Sequence, residues 1–98
     1  MTDYKINHTG GDYVARVCHK CKKINLGKGY RKYSIPVRRF VLLHEIGHSL
    51  GHKSEVGADV YAMKSLIKQG YKKDYYEDLL LSLKLRTKEQ IKEINGRL

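Results

Sequence analysis

The chain predicts one small α+β domain, with a mostly antiparallel sheet in its first third and helices in the remainder. Three observations carry that prediction. Between residues 4 and 26 apolar and polar side chains alternate with period two, as they do on strands. From residue 34 onward the apolar residues recur every three or four positions, as on one face of a helix. And 98 residues supply a single hydrophobic core with no second one beside it.

Each element has its own local reason. Residues 1–33 are the sheet region. Tyr4, Ile6 and His8 alternate with polar neighbours and are followed by the turn Thr9-Gly10-Gly11-Asp12. Residues 13–19 make a second run, with Val14, Arg16 and Cys18 on one side and Ala15, Val17 and His19 on the other. Residues 23–26 make a third, closed by Gly27-Lys28-Gly29, and residues 30–33 read as a short edge strand.

Residues 34–51 read as a helix. Ser34 is the cap, Pro36 fits the first turn, and Gly51 suits a left-handed stop after Leu50. Val37, Phe40, Val41, Leu43, Gly47 and Leu50 mark its packing side. Residues 54–70 read as a second helix, capped by Ser54 and stopped by Gly70. Its small residues Gly57, Ala58 and Ala62 allow close approach of a neighbouring helix. Glu55, Asp59, Ala62 and Leu66 share one face, and Val56, Val60, Met63 and Ile67 make another. Residues 71–98 form a helical tail. One helix covers residues 74–86 with Tyr76, Leu79, Leu80 and Leu83 as its stripe. The capping box Thr87-Lys88-Glu89-Gln90 opens a last helix that ends at Gly96.

Chemistry concentrates in His44-Glu45-Ile46-Gly47-His48. On a helix, residues four apart are neighbours, so His44 and His48 can share one tetrahedral Zn²⁺ while Glu45 stands beside them as a general base. A catalytic zinc takes three protein ligands and leaves a position for water, so a third ligand is required. A further histidine in the pattern H-E-x-x-H-x-x-G-x-x-H is absent, because Ser54 stands at that position. His52 follows His48 at helical spacing, but Gly51 turns it away. Glu55 is the better ligand, and Asp59, one turn later, is placed to accept the outer N–H of a histidine.

H-E-x-x-H followed by E-x-x-x-D on a separate helix resembles the gluzincin zinc metallopeptidases. The string Glu55-Val56-Gly57-Ala58-Asp59-Val60-Tyr61-Ala62 is similar to the second motif of membrane-embedded prenyl-protein and heat-shock metallopeptidases and of ImmA/IrrE-type regulatory peptidases. In length the chain resembles the small soluble minigluzincins. The likeness covers about the middle third of the chain. It implies a zincin-like fold and one Zn²⁺ per chain, held by His44, His48 and Glu55, with Asp59 behind them. It also implies hydrolysis of a peptide or protein substrate with Glu45 as base, and an edge strand that pairs with extended substrate. The family's oxyanion stabiliser has five candidates here: Tyr61, Tyr71, Tyr75, Tyr76 and His52. Latency, by self-association or by the C-terminal tail folding over the cleft, is a habit of small peptidases.

Other features of the sequence carry less. Cys18-His19-Lys20-Cys21 is half of a zinc knuckle or a redox pair, with His8, His19 and His52 as further ligands, or else holds ordinary turn thiols. The balance of 20 Lys and Arg against 10 Asp and Glu is strongly basic. Lys20, Lys22, Lys23, Lys28, Arg31 and Lys32 gather near Tyr30 and Tyr33, a combination that suits nucleic acid. No helix-turn-helix, zinc-finger or RNA-sheet motif accompanies them. The alternatives to a peptidase are therefore a non-catalytic zinc-bound interaction or regulatory module and, after it, a basic nucleic-acid binder. No apolar run approaches the ~20 residues of a membrane span, so the expectation is a soluble, cytoplasmic protein.

Overall fold

The computed structural model describes residues 3–98; Met1 and Thr2, which the sequence assigns to the sheet region, lie outside the described residues. Three short strands come first: β1 (Lys5–His8), β2 (Ala15–Cys18) and β3 (Lys23–Leu26). Five helices follow: α1 (Lys28–Lys32), α2 (Ile35–Ser49), α3 (Glu55–Lys68), α4 (Lys73–Ser82) and α5 (Lys88–Arg97). The class is α+β. Among the described residues no helix is long and apolar enough to cross a membrane.

The sheet is mixed where antiparallel pairing was expected to prevail. Its order is β1-β3-β2, with β3 parallel to β1 and antiparallel to β2. Residues 9–14 carry the chain from one edge to the other, so the last strand enters the middle. Alternation identifies strands but says nothing about their order. β3 buries Ile24 and Leu26 completely or nearly so, while every residue of β1 is exposed.

Residues 30–33 are not an edge strand. The backbone N–H groups of Gly27, Lys28 and Gly29 donate to the carbonyls of Val14, Gly11 and Tyr13, which ties the end of β3 to the preceding loop. A Cβ at Gly27 would stand 2.2 Å from the Tyr13 carbonyl oxygen, so only glycine fits. The chain then coils into α1 and drops Tyr30 into the sheet-side core beside Ile24 and Leu26. Tyr30 and Tyr33 are three apart, a spacing that shares one face on a helix but not on a strand, and Tyr30 is the residue α1 buries.

α2 begins where expected, with Pro36 in its first turn, although the Ser34 side chain makes no capping bond. Ser54 does cap α3, accepting from the Gly57 N–H at 2.9 Å. Val37, Phe40 and Gly47 are buried on α2, whereas Leu50, at its end, is exposed. The close approach of α2 and α3 is at Gly47: a Cβ there would lie 3.2 Å from Ala58 Cα. Gly57 faces its own cap instead.

The larger core cluster joins Phe40 from α2, Ala62, Met63 and Leu66 from α3, Tyr76 and Leu80 from α4, and Ile91 and Ile94 from α5. The C-terminal tail is therefore part of the core, with α5 packed along α3. α4 stops at Ser82, earlier than the sequence suggested, and leaves Leu83 exposed. The Leu85 N–H returns to the Leu80 carbonyl and the Lys84 N–H to Leu81, a Schellman ending with Lys84 at φ 57° in place of glycine. The capping box on Thr87 and Gln90 opens α5 as read, and α5 runs one residue past Gly96.

Candidate metal centre

Helix α2 presents His44 and His48 one turn apart, with ring centroids 4.7 Å from each other. What orients each ring differs. His44 Nδ1 lies 2.6 Å from Asp59 Oδ1, across the tight contact between α2 and α3. A carboxylate oxygen only accepts, so Nδ1 carries the proton and donates it. His48 Nδ1 lies 2.7 Å from the backbone carbonyl of His52 and donates to it by the same reasoning.

Both tautomers are thereby fixed, and both Nε2 atoms are left with a lone pair on the same side. They are 3.1 Å apart. Glu55 closes the triangle: its Oε1 is 3.0 Å from His48 Nε2 and its Oε2 is 3.1 Å from His44 Nε2. Ligand atoms around a tetrahedral zinc at 2.0–2.1 Å sit ~3.3 Å from one another, close to this spacing. Two lone pairs and an anionic carboxylate turned on one point repel unless a cation or a shared proton lies between them. The donor set fits a divalent ion of the zinc type, two imidazoles and a carboxylate, with solvent reaching the exposed Glu55.

Glu45 is a near neighbour. One of its oxygens lies within 4.8 Å of a nitrogen on each histidine. It is buried, and it lines a cavity of about 200 Å³ with Val14, Ala15, Tyr33, Phe40, Leu80 and Leu85. Burial raises its pKa above the ordinary value, against the pull of His44 and His48. Of the two acids, Glu55 meets both rings at 3.0–3.1 Å, and Glu45 has an oxygen within 4.8 Å of both while also lining the cavity.

Behind His44 runs a charge chain that the sequence did not disclose. Arg86, just past α4, donates from Nε to Asp59 Oδ2 at 2.7 Å and from Nη2 to Asp59 Oδ1 at 2.8 Å. Burial alone would raise the Asp59 pKa, but the hydrogen bonds from Arg86 and His44 overcome it and hold the carboxyl below its ordinary range. Burial is likewise the largest single influence on His44 and opposes its charged form, but the Asp59 hydrogen bond together with the charges of Asp59, Glu45 and Glu55 outweighs it, leaving the imidazole pKa raised. A buried acid on the α3 face shared with Glu55 was the available signal that a cation was needed. Its identity depended on the unforeseen ending of α4.

The turn behind His48 is local. Gly51, at φ 106°, ends α2 in a Schellman motif: its N–H donates to the His48 carbonyl, and the His52 N–H donates to Gly47. That turn delivers the His52 carbonyl to His48 and sends the His52 ring over Tyr61, 5.6 Å between centroids.

The tyrosines proposed for the oxyanion are placed elsewhere. Tyr76 is fully buried in the larger core, where its hydroxyl accepts from Arg39 Nη1 at 3.2 Å. Tyr71 and Tyr75 meet Tyr76 edge-on, and Arg39 also covers the Tyr71 ring. Tyr61 packs beside Gly47 and lines a groove with Lys64, Lys68 and Arg97. None of the four lines the Glu45 cavity; the tyrosine that does is Tyr33. His52 shares a cleft of about 480 Å³ with His48, Tyr4 and His19.

Scans against protein-family models, curated proteins and solved structures each return no match to this chain.

Proposed function

We propose that the protein is a metal-dependent peptidase of the zinc type, with His44, His48 and Glu55 as the ligands and Glu45 as the general base. One observation carries the reading: the Nε2 atoms of His44 and His48 and both oxygens of Glu55 meet at 3.0–3.1 Å, while each outer Nδ1 is committed to an acceptor. A divalent ion at that point supplies a low-pKa water and polarises a carbonyl.

The chain's own residues provide the remainder. Glu45 takes a proton from the attacking water and passes it to the leaving amine, a role its position beside both histidines suits. Asp59 and the His52 carbonyl keep the two imidazoles in the ligating tautomer. β2 is an edge strand packed on α2, and Val14 and Ala15 lie in the Glu45 cavity. Among the described residues its outer edge has no neighbouring strand, and it can pair with extended substrate backbone. The apolar wall from Phe40, Leu80 and Leu85 then receives a substrate side chain. Tyr33 is the hydroxyl we assign to the developing oxyanion.

The test is digestion of a mixed peptide library by zinc-loaded protein, read by mass spectrometry, with Glu45→Ala alongside. New termini from the parent chain alone support the reading. Equal cleavage by the two, or no cleavage by a chain that holds one zinc, rejects it. The second outcome leaves a zinc-bound module without catalysis.

A further inference from the structure

The connection between β2 and β3 carries both cysteines of the chain, and neither is in a disulfide. Cys18 is the last residue of β2, and Cys21 is exposed in the turn. The Cys21 backbone N–H donates to Cys18 Sγ at 3.1 Å. Hydrogen bonding from Cys21 holds the Cys18 thiol below its ordinary pKa. Lys22, at φ 53°, then turns the chain into β3. Two thiols thus share one turn at the surface, and the Cys21 peptide N–H is already aimed at one of them, where it stabilises a thiolate.

A soft divalent ion takes four such ligands when its role is structural. This chain offers two. Among the described residues the only group of three or more metal-binding side chains is the one containing His44 and His48. His19, between the cysteines, is not gathered with them into such a group, and its ring meets the Tyr4 hydroxyl at 2.9 Å. His8 lies at the end of β1, on the other side of β3 from β2. The pair is half a site.

We infer that Cys18 and Cys21 bind a zinc-type ion together with the same two cysteines of a second copy, so that one metal with four thiolates joins two chains tip to tip. Four S–H protons pass to the buffer as four metal–sulfur bonds form, with no change in oxidation state. The resulting centre carries two negative charges. Charge favours the anionic thiolate centre and not a bare contact between the chains. Each copy brings Lys20 and Lys23 to the tip, and Lys23 already draws on the Cys18 sulfur. Without the metal, two chains of formal net charge +10 repel, so association depends on the ion. This site is independent of the histidine centre and stands or falls without it.

The experiment is a zinc titration of reduced, full-length protein, with zinc counted per chain and mass followed by sedimentation. A Cys18→Ser, Cys21→Ser variant runs in parallel. Both positions are at the surface turn, and an unchanged circular dichroism spectrum verifies the variant's fold. The expected result is a cysteine-dependent half equivalent of zinc per chain and a doubling of mass from 11.4 kDa, both lost in the variant and both reversed by chelator. Cobalt in place of zinc should give sulfur-to-metal charge-transfer absorption only in the parent chain. If the histidine centre fails to bind, the half equivalent remains and only the further equivalent disappears. A whole cysteine-dependent equivalent on a monomer overturns the inference. So does zinc content that ignores the cysteines, or a dimer that survives chelation.

Discussion

The two histidines of the proposed metal centre are one turn apart on one helix, yet they are held by opposite means. His44 is held from inside. Its outer nitrogen meets Asp59, and Asp59 meets Arg86, 27 residues further along, so three elements of the fold converge on one ring. His48 is held from the end of its own helix. Its outer nitrogen meets a carbonyl only four residues away, delivered by the turn at Gly51. The first arrangement depends on tertiary structure and buries charge. The second is a backbone device that survives wherever the local turn forms. Damage to the inner support should therefore cost the fold and the site together, and damage to the outer support should cost mainly the site.

The strongest way to break the comparison is at Asp59. Asp59→Ala leaves Arg86 partly buried without its partner and the His44 N–H without an acceptor. Removing one member of a buried ion pair costs about 3–5 kcal/mol, a large share of the ~5–15 kcal/mol that holds a domain together. Urea denaturation of chelator-treated protein should show a loss of that size. Asp59→Asn keeps the shape and should instead lower zinc affinity by about 10–100-fold, measured by competition with a chromophoric chelator.

On the outer side, Gly51→Ala forces a side chain into a left-handed conformation, with nothing within 4 Å to clash. The cost is backbone strain alone, about 1 kcal/mol in the same denaturation experiment. Its zinc affinity should fall by less than that of Asp59→Asn, because the His52 carbonyl shifts without being removed. A larger stability loss for Gly51→Ala than for Asp59→Ala would invert the account.

Acid sharpens the same contrast by a smaller amount. The folded pKa of Asp59 is depressed, so in metal-free protein its contribution is complete above the unfolded value of 3.8 and disappears as pH falls through the lower folded value. The stability of metal-free protein should thus decline with acid across that window. Arg86→Met should flatten the decline, and Gly51→Ala should leave it intact. Stability curves at a series of pH values below 5 separate the three proteins.

The same contrast explains what the sequence made legible. The H-E-x-x-H spacing, the Ser54 cap, the Gly51 and Gly70 stops and the Thr87 capping box are all local, and each is written within about five residues. They placed α2, α3 and α5 closely, with Glu55 opening the second helix and Asp59 one turn behind it. Arg86 was hidden because Lys84 adopts a positive φ that normally points to glycine, so the helix read as continuing to residue 86. The mixed sheet was hidden because alternation is blind to strand order. Tyr30 was misassigned because four residues are too few to show a period, until burial against Ile24 and Leu26 selects the helix. Of the tyrosines read as candidate hydroxyls, Tyr76 lies in the core cluster with Arg39 on its hydroxyl and Tyr71 lies under Arg39, whereas Tyr75 is exposed and meets Tyr76 edge-on.

The tail gives a last example. Cutting the chain after Leu85 is attractive if the tail is a lid, but the cut removes Arg86 from Asp59 and Ile91 and Ile94 from the core. Such a truncation should unfold the protein rather than release activity, as loss of cooperative thermal melting would show.

The central claim is that Glu55 is the third ligand and Glu45 is kept free of the metal. Zinc competition titrations of Glu55→Gln and Glu45→Gln, side by side with the parent chain, test it most directly. Glu55→Gln should weaken binding by at least about tenfold, since a carboxylate ligand becomes a neutral amide, while Glu45→Gln should bind as the parent does. The reverse order, with Glu45→Gln losing the metal and Glu55→Gln retaining it, would make Glu45 the ligand and leave the proposed reaction without its base.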